Sequence, residues 1–324
     1  VSHLLPRLGL YAVAAWFAIT LNFALPRMMP GDPVQALFAR FQGRLEPAAL
    51  DALQVTLGLS QAPLPEQYLQ YLAQLLRGDL GVSLVYFPTP VSEVIAGGLG
   101  WTVFLAGGAL VVAFLLGSAI GAVAAWRRGG ALDTFAPPLL SFLAAFPYFW
   151  LSMAAVWLFG FQLGWFPVRH AWGPEVTPGF DLAFAASAVR HALLPGATLV
   201  VASLAGWVLT MRNAMMGVLD DDPIRFAQAR GLSPDRIFVH YAIRNAMLPS
   251  LTSFGMALGF VLSGALLTEI VFAYPGQGYL LLQAVRGQDY PLLQGLFLTI
   301  TLAVLGANAL VDLAVTLLDP RTRR

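Results

Sequence analysis

The sequence predicts an all-α integral membrane protein: six transmembrane helices, a small external subdomain after the first of them, and a two-helix cytoplasmic loop late in the chain. Three observations carry this reading. Of the 324 residues 58% are hydrophobic and only 11% charged, a balance no ordinary soluble domain shows. Six stretches free of Asp, Glu and Arg are long enough to span a hydrocarbon core of about 30 Å at 1.5 Å per residue. The basic residues gather in the segments that alternate on one side of these stretches.

The spans follow in order. Residues 8–25 are uncharged, 94–126 and 134–168 each hold one tilted or extended span, and 191–211, 245–268 and 290–311 are shorter charge-free runs ending close to charges. Residues 8–25 also fit the apolar part of a signal peptide, with LNFALP near their end, but the basic flank is only Arg7 and His3. With the N-terminus inside, the cytoplasmic pieces carry eleven of the eighteen Arg. Positive residues are enriched in cytoplasmic loops, so both termini are expected in the cytoplasm.

The domains follow from these boundaries. Residues 1–29 hold the first helix, 30–98 the external subdomain, and 99–324 a five-helix core that includes the loop 212–249. The external segment is punctuated by turn-forming clusters, PGDP at 30–33, GLS at 58–60, GDLG at 78–81 and PTP at 88–90. Helix-like stretches are expected at 47–57 and 65–76. Small-residue pairs Gly117 with Gly121 and Gly255 with Gly259 have the four-residue spacing of helix-packing seams. Pro137, Pro138, Pro147 and Pro195 interrupt apolar runs and suggest kinks or hinges in a bundle around a cavity.

Composition also removes several classes of function. There is no cysteine and no lysine, so thiolate chemistry, Schiff bases and a Walker A phosphate loop in this chain are all excluded. His3, His170, His191 and His240 have no metal-binding spacing, and no Ser lies in a GxSxG setting. The chain is not expected to be an enzyme, to bind metal or a cofactor, or to bind nucleic acid. No span has an ionisable residue at its centre; Glu269 and Asp312 lie near span ends, as caps or as substrate or proton groups.

The loop after Met211 is the most telling segment. Asp220 to Asp222 with Pro223 start a helix that ends at Gly231; Ser233, Pro234 and Asp235 start a second one running to about Asn245. Two short helices joined by GLSP make a knuckle. Small Ala227 and Ala229 permit close approach of another backbone, and Arg225, Arg230, Arg236 and Arg244 suit acidic partners.

Here the sequence resembles the permease subunits of ATP-binding-cassette importers, in the dipeptide/oligopeptide/nickel group. The strings AQARGL and HYAIRNAMLP place Ala227, Ala229, Gly231, Leu232, His240, Arg244, Asn245, Ala246, Leu248 and Pro249 on that family's ATPase-coupling loop. PGDP, GDLG, HALLP at 191–195, EIVFAYPGQG at 269–278, DYPL at 289–292 and LDPRTR at 318–323 extend the likeness along the chain. Where other ATP-binding-cassette permeases commonly carry Glu-Ala-Ala, this chain has Arg225 and Phe226 before Ala227, and its interval from Gly231 to Pro249 is longer than in many sugar or amino-acid permeases, which fits the peptide-type group.

The resemblance implies a non-catalytic transport subunit of a bacterial inner membrane. Its implied partners are a second homologous permease, two ATPase subunits that bind ATP and Mg, and an external substrate-binding protein. Residues Arg225, Ala227, Ala229, Arg230, Gly231, Leu232, Arg236, His240, Arg244, Asn245 and Pro249 are the expected coupling site. The cargo is expected to be a di- or oligopeptide; oligosaccharides or nickel chelates are the alternative, with a mild hint of sugar stacking from GVSLVYFPTPV at 81–91 and the aromatics at 148–150. A standalone channel or ion-coupled carrier is the reading from a different class.

Overall fold

The computed structural model of the chain describes residues 4–28, 63–259, 261 and 265–318. These residues are helical apart from turns and one isolated antiparallel bridge between Val82 and Pro90. The helices are α1 (Leu4–Arg27), α2 (Leu64–Leu76), α3 (Val91–Thr102), α4 (Gly108–Trp126), α5 (Ala131–Ala144), α6 (Tyr148–Ala155), α7 (Leu182–Leu219), α8 (Asp222–Ala229), α9 (Pro234–Ile237), α10 (Arg244–Gly259), α11 (Leu266–Val271), α12 (Gln277–Arg286) and α13 (Tyr290–Leu318). Single π-helical segments join α3 to α4, extend α6 and join α9 to α10.

Among the described residues three helical stretches are long and apolar enough to cross a bilayer, Val91–Trp126, Leu182–Leu219 and Tyr290–Ala309, and a fourth crossing is available if α5 and α6 with its π-helical extension count as one. The expectation for 134–168 is altered here. The chain bends by 93° between the two helices instead of making one extended span. Pro147 explains the break: it cannot donate to a preceding carbonyl, and it stands at the N-cap of α6 in extended backbone. Pro137, Pro138 and Pro195 by contrast lie inside continuous helices. The first expected span appears as the shorter apolar stretch Gly9–Leu25, and of the fifth the described residues include α10 and the start of α11, with Ala265 in a turn just before α11.

The chain divides into two compact units. One combines the described part of Val1–Thr102 with Pro275–Ala309. Its core packs α3 against α12 and the start of α13 through Val91, Ile95, Leu280, Ala284, Leu292 and Leu296. The buried Gln277 pins α12 to α3, donating from its side chain to Ile95 O at 2.7 Å and from its backbone to Thr102 Oγ1 at 2.8 Å. The GDLG cluster is a turn as expected, with Gly78 and Gly81 at φ of 73° and 79°, where only glycine is unstrained. The stretch 65–76 is α2; the stretch 47–57 and the PGDP and GLS clusters lie outside the described residues.

The second unit, Val103–Tyr274 with the chain from Leu310, is built on α4 packed along α7. The Gly117 and Gly121 seam is where they meet. A Cβ at Gly117 would collide with Trp207 Cβ, and one at Gly121 with Val208 O. Close backbone approach through small residues is the way helices associate in lipid, where no hydrophobic force drives them together. Phe114, Trp207 and Phe254 fill the adjoining layer, with ring centroids 4.6 to 6.3 Å apart. A buried hydroxyl node joins α6, α7 and α11: Ser152 Oγ lies 3.0 Å from Thr198 Oγ1 and 3.1 Å from Thr268 Oγ1. Thr198 in turn donates to Pro195 O at 2.7 Å, a bond back to the preceding turn of α7.

Candidate functional site: the cytoplasmic knuckle

Residues 220–249 form the two-part knuckle. Asp221 is the N-cap of α8, Asp222 lies in its first turn and Pro223 opens it, so acid and proline act where the helix dipole and the missing N–H favour them. The side chain of Asp221 makes no capping hydrogen bond, and neither does that of Ser233 before α9. The expected caps are therefore positional only. At the other end α8 closes in a Schellman motif: Leu232 N–H donates to Ala227 O at 3.2 Å and Gly231 N–H to Gln228 O at 2.9 Å. Gly231 sits at φ 72°, which this closure requires.

The second half does not end at Asn245 as the sequence suggests. From Pro234 the chain runs through α9, a π-helical segment (Phe238–Ile243) and α10 to Gly259 with Pro249 inside the helix. The knuckle is thus continuous with the membrane helix that follows it. The π segment shifts the helical phase, so that Ala242 and Ala246 are buried while His240, Arg244 and Asn245 are exposed.

One face of the knuckle is bonded to the bundle. Ile224, Ala227, Ile237, Ala242 and Ala246 share a core with Ala122 and Ala125 of α4 and Met211 and Met215 of α7, and Leu232 packs against it. Trp126 meets Phe238 with ring centroids 5.1 Å apart. Ala227 is only 2% exposed, so it closes the chain's own core and does not lie open to another protein. Its spacing from Ile224, three residues on one helical face, puts it there.

The other face is open. Arg225, Ala229, Arg230, Gly231, Arg236, His240, Arg244, Asn245 and Pro249 are all exposed. None of the four Arg has an ion-pair partner among the described residues. Phe226 stands between Arg225 and the core residue Ala227, and it is 70% exposed. It was not among the residues the sequence singled out as site members. The signal was available, because Phe226 falls off the Ile224 and Ala227 stripe of an otherwise polar helix. An exposed aromatic flanked by cations, on a rigid support, is what a protein-binding anchor requires.

At the base of the knuckle α7 is tied to the start of α5. Arg212 Nε donates to Asp133 Oδ1 at 2.6 Å, and Gly129 N–H donates to Asp133 Oδ2 at 3.0 Å. The Arg212 hydrogen bond, with the Gly129 N–H behind it, holds the Asp133 carboxyl below the usual carboxylate range.

Residues 117–324 match the family of binding-protein-dependent transport system inner membrane components. The chain belongs to that family. It is also 36% identical to a putative peptide permease protein of Brucella suis biovar 1 (strain 1330), over 94% of this chain and 93% of the relative. Similarity reaches the di/tripeptide transport system permease protein DppB of Pseudomonas aeruginosa (strain UCBPP-PA14), 36% identical over 100% of this chain and 99% of the relative. The dipeptide transport system permease protein DppB of Escherichia coli (strain K12) is 35% identical over the same shares. The chain is accordingly a membrane permease subunit of a binding-protein-dependent system, and the family match covers the whole knuckle and the α4 to α7 seam on which it rests.

Proposed function

We propose that this chain is one of two membrane subunits of an ATP-driven importer, that it carries di- or oligopeptides delivered by an external binding protein, and that the knuckle seats an ATPase subunit. The peptide cargo rests on the names of the relatives, which favour it over oligosaccharides or nickel chelates. Both termini and the knuckle lie in the cytoplasm in this reading, the chain makes six crossings, and ATP and Mg are held by the partner subunits. The chain itself performs no covalent chemistry.

The observation that carries the coupling role is the two-sidedness of α8. Its open face presents Phe226 with Arg225, and with Arg230 at its C-cap, neither of them ion-paired among the described residues, while its other face is buried against α4 and α7. A pull on such a helix moves the bundle, since packed cores shift between discrete arrangements and do not deform smoothly. ATP binding and hydrolysis would then switch the helices between inward-open and outward-open states with their free energy drawn from the partner.

A single cysteine tests the seat, because the chain has none of its own. Ala229→Cys, on the open face, is expected to cross-link to an ATPase subunit in the assembled complex and to lose reactivity toward a soluble maleimide there. Ala227→Cys, at a buried position, is the internal control and stays unreactive throughout. Equal labelling of Ala229→Cys with and without the ATPase subunits would contradict the assignment.

A further inference from the structure

At the end of α1, Arg27 borders a small cavity of about 80 Å³ that is lined also by Tyr71 and Gln74 of α2, Asp79, and Gln294 of α13. The cavity is rich in donors that have nothing to donate to. Arg27 spends Nε on Gln67 Oε1 at 3.2 Å and Nη1 on Phe23 O at 2.8 Å, and its guanidinium lies 3.7 Å from the centre of the Phe23 ring. Its Nη2 has no partner among the described residues, and no carboxylate pairs with it there. Tyr71 is 9% exposed, and among the described residues neither its buried hydroxyl nor the buried Nε2 of Gln294 has a partner.

Buried polar atoms without partners are rare, since each costs about 1–3 kcal/mol when nothing replaces the water it lost. Two of them beside a guanidinium that no carboxylate among the described residues neutralises describe a receptor for negative charge. Burial pushes the Tyr71 phenol up to about 12 against the opposing pull of Arg27, so it remains a neutral O–H donor at working pH. The one acid on the lining, Asp79, is exposed and its Oδ1 already accepts from Gly81 N–H at 2.9 Å. The volume admits one oxyanion with a little water and excludes a dipeptide.

The place of the cavity narrows the ligand further. Leu21 and Leu25 on the last turns of α1, and Met28 just after it, expose their side chains, so apolar surface suited to lipid tails ends where the donors begin. We infer that Arg27, Tyr71 and Gln294 form a binding site for a single phosphate group, supplied by a phospholipid headgroup or as free phosphate. A lipid held there would brace α1 against α2 and the start of α13 without taking part in the transport path.

The test uses the full chain purified in a maltoside detergent, free of phosphate, with the thermal midpoint as readout. Sodium phosphate, sodium chloride at matched ionic strength and short-chain phosphatidylglycerol are titrated in separate series. A saturable rise with phosphate identifies free phosphate as a sufficient ligand; a saturable rise with phosphatidylglycerol alone identifies the headgroup. In either case Arg27→Gln is expected to weaken the effect at least about tenfold, and Tyr71→Phe about fivefold, as loss of one charged and one neutral hydrogen bond implies. Tyr71→Phe removes a buried hydroxyl that has no partner among the described residues, so the ligand-free midpoint is expected to hold or rise while the ligand-induced shift weakens, which separates binding from folding. Equal rises with phosphate, chloride and lipid, or titrations that neither variant alters, would overturn the assignment.

Discussion

Arg212 and Asp133, 79 residues apart in sequence, meet at 2.6 Å and join the end of the long helix α7 to the first turn of α5. The Asp133 carboxylate accepts on both oxygens, from Arg212 and from Gly129 N–H, and both donors favour its charged form. A carboxyl held lower in the folded state than in the unfolded one stabilises the fold above the unfolded value of about 4. That contribution disappears as pH falls through the lower, folded value. Asp133→Asn is expected to lower stability at pH 7 by about 1 kcal/mol, the scale of a partly screened charged hydrogen bond. Thermal midpoints of wild type and variant measured from pH 7 down to 3 should converge at the acid end; parallel curves would deny the pair its role.

The seam between α4 and α7 has no room for a methyl group. Gly121→Ala would press a Cβ onto Val208 O and close to Arg212 N and Met211 Cβ, which are backbone or rigidly attached. Overpacking of this kind typically costs about 1–3 kcal/mol. Gly206→Ala, where nothing lies within 4 Å, is the matched control and should be near neutral. The comparison is read from thermal midpoints in one detergent.

Asp289 is buried and organises the loop that leads into α3. Its Oδ2 accepts from Ser83 Oγ at 2.5 Å and Val85 N–H at 2.9 Å, and its Oδ1 caps α13 through Leu292 N–H at 3.0 Å. In Asp289→Asn one oxygen becomes an NH₂ facing a backbone N–H, leaving a buried donor unmatched. A loss of about 2 kcal/mol follows, with local exposure of the 83–85 loop. Hydrogen exchange at Val85 checks it, and unchanged protection there would contradict the network.

Phe226 and Gly231 separate binding from folding in the knuckle. Phe226→Ala removes an exposed ring, so stability should stay within about 0.5 kcal/mol, while association with the ATPase subunits falls sharply. Gly231→Ala has open space for its Cβ but must adopt φ 72°, costing about 1 kcal/mol of backbone strain and loosening the turn between α8 and α9. Co-purification of the ATPase subunits and transport per ATP hydrolysed distinguish the two effects.

The knuckle was legible in sequence because Pro223, Gly231 and Pro234 dictate backbone conformations with little help from the surroundings. The long apolar helices Val91–Trp126, Leu182–Leu219 and Tyr290–Ala309 were legible in the same way, around runs free of charge. What escaped depends on neighbours distant in the chain. Pro147 breaks its helix while Pro195 is absorbed into one, with Thr198 donating to the Pro195 carbonyl and to nothing the sequence could announce. Ala227 and Ala229 read alike as small residues, yet the proximity of Met211, Met215 and Ala125 buries only the first. The contact between Ser83 and Asp289 spans 206 residues and has no local pattern at all.

In the proposed function the open face of α8 transmits ATP-driven force to a peptide path. This transmission is tested most directly by ATP hydrolysis and peptide uptake in proteoliposomes holding the complete complex, with peptide-loaded binding protein outside, comparing wild type with Phe226→Asp. The account predicts that the loaded binding protein stimulates hydrolysis in wild type and that Phe226→Asp abolishes both the stimulation and uptake while the permease remains folded in the membrane. Undiminished, peptide-stimulated uptake by Phe226→Asp would show that force does not pass through this face.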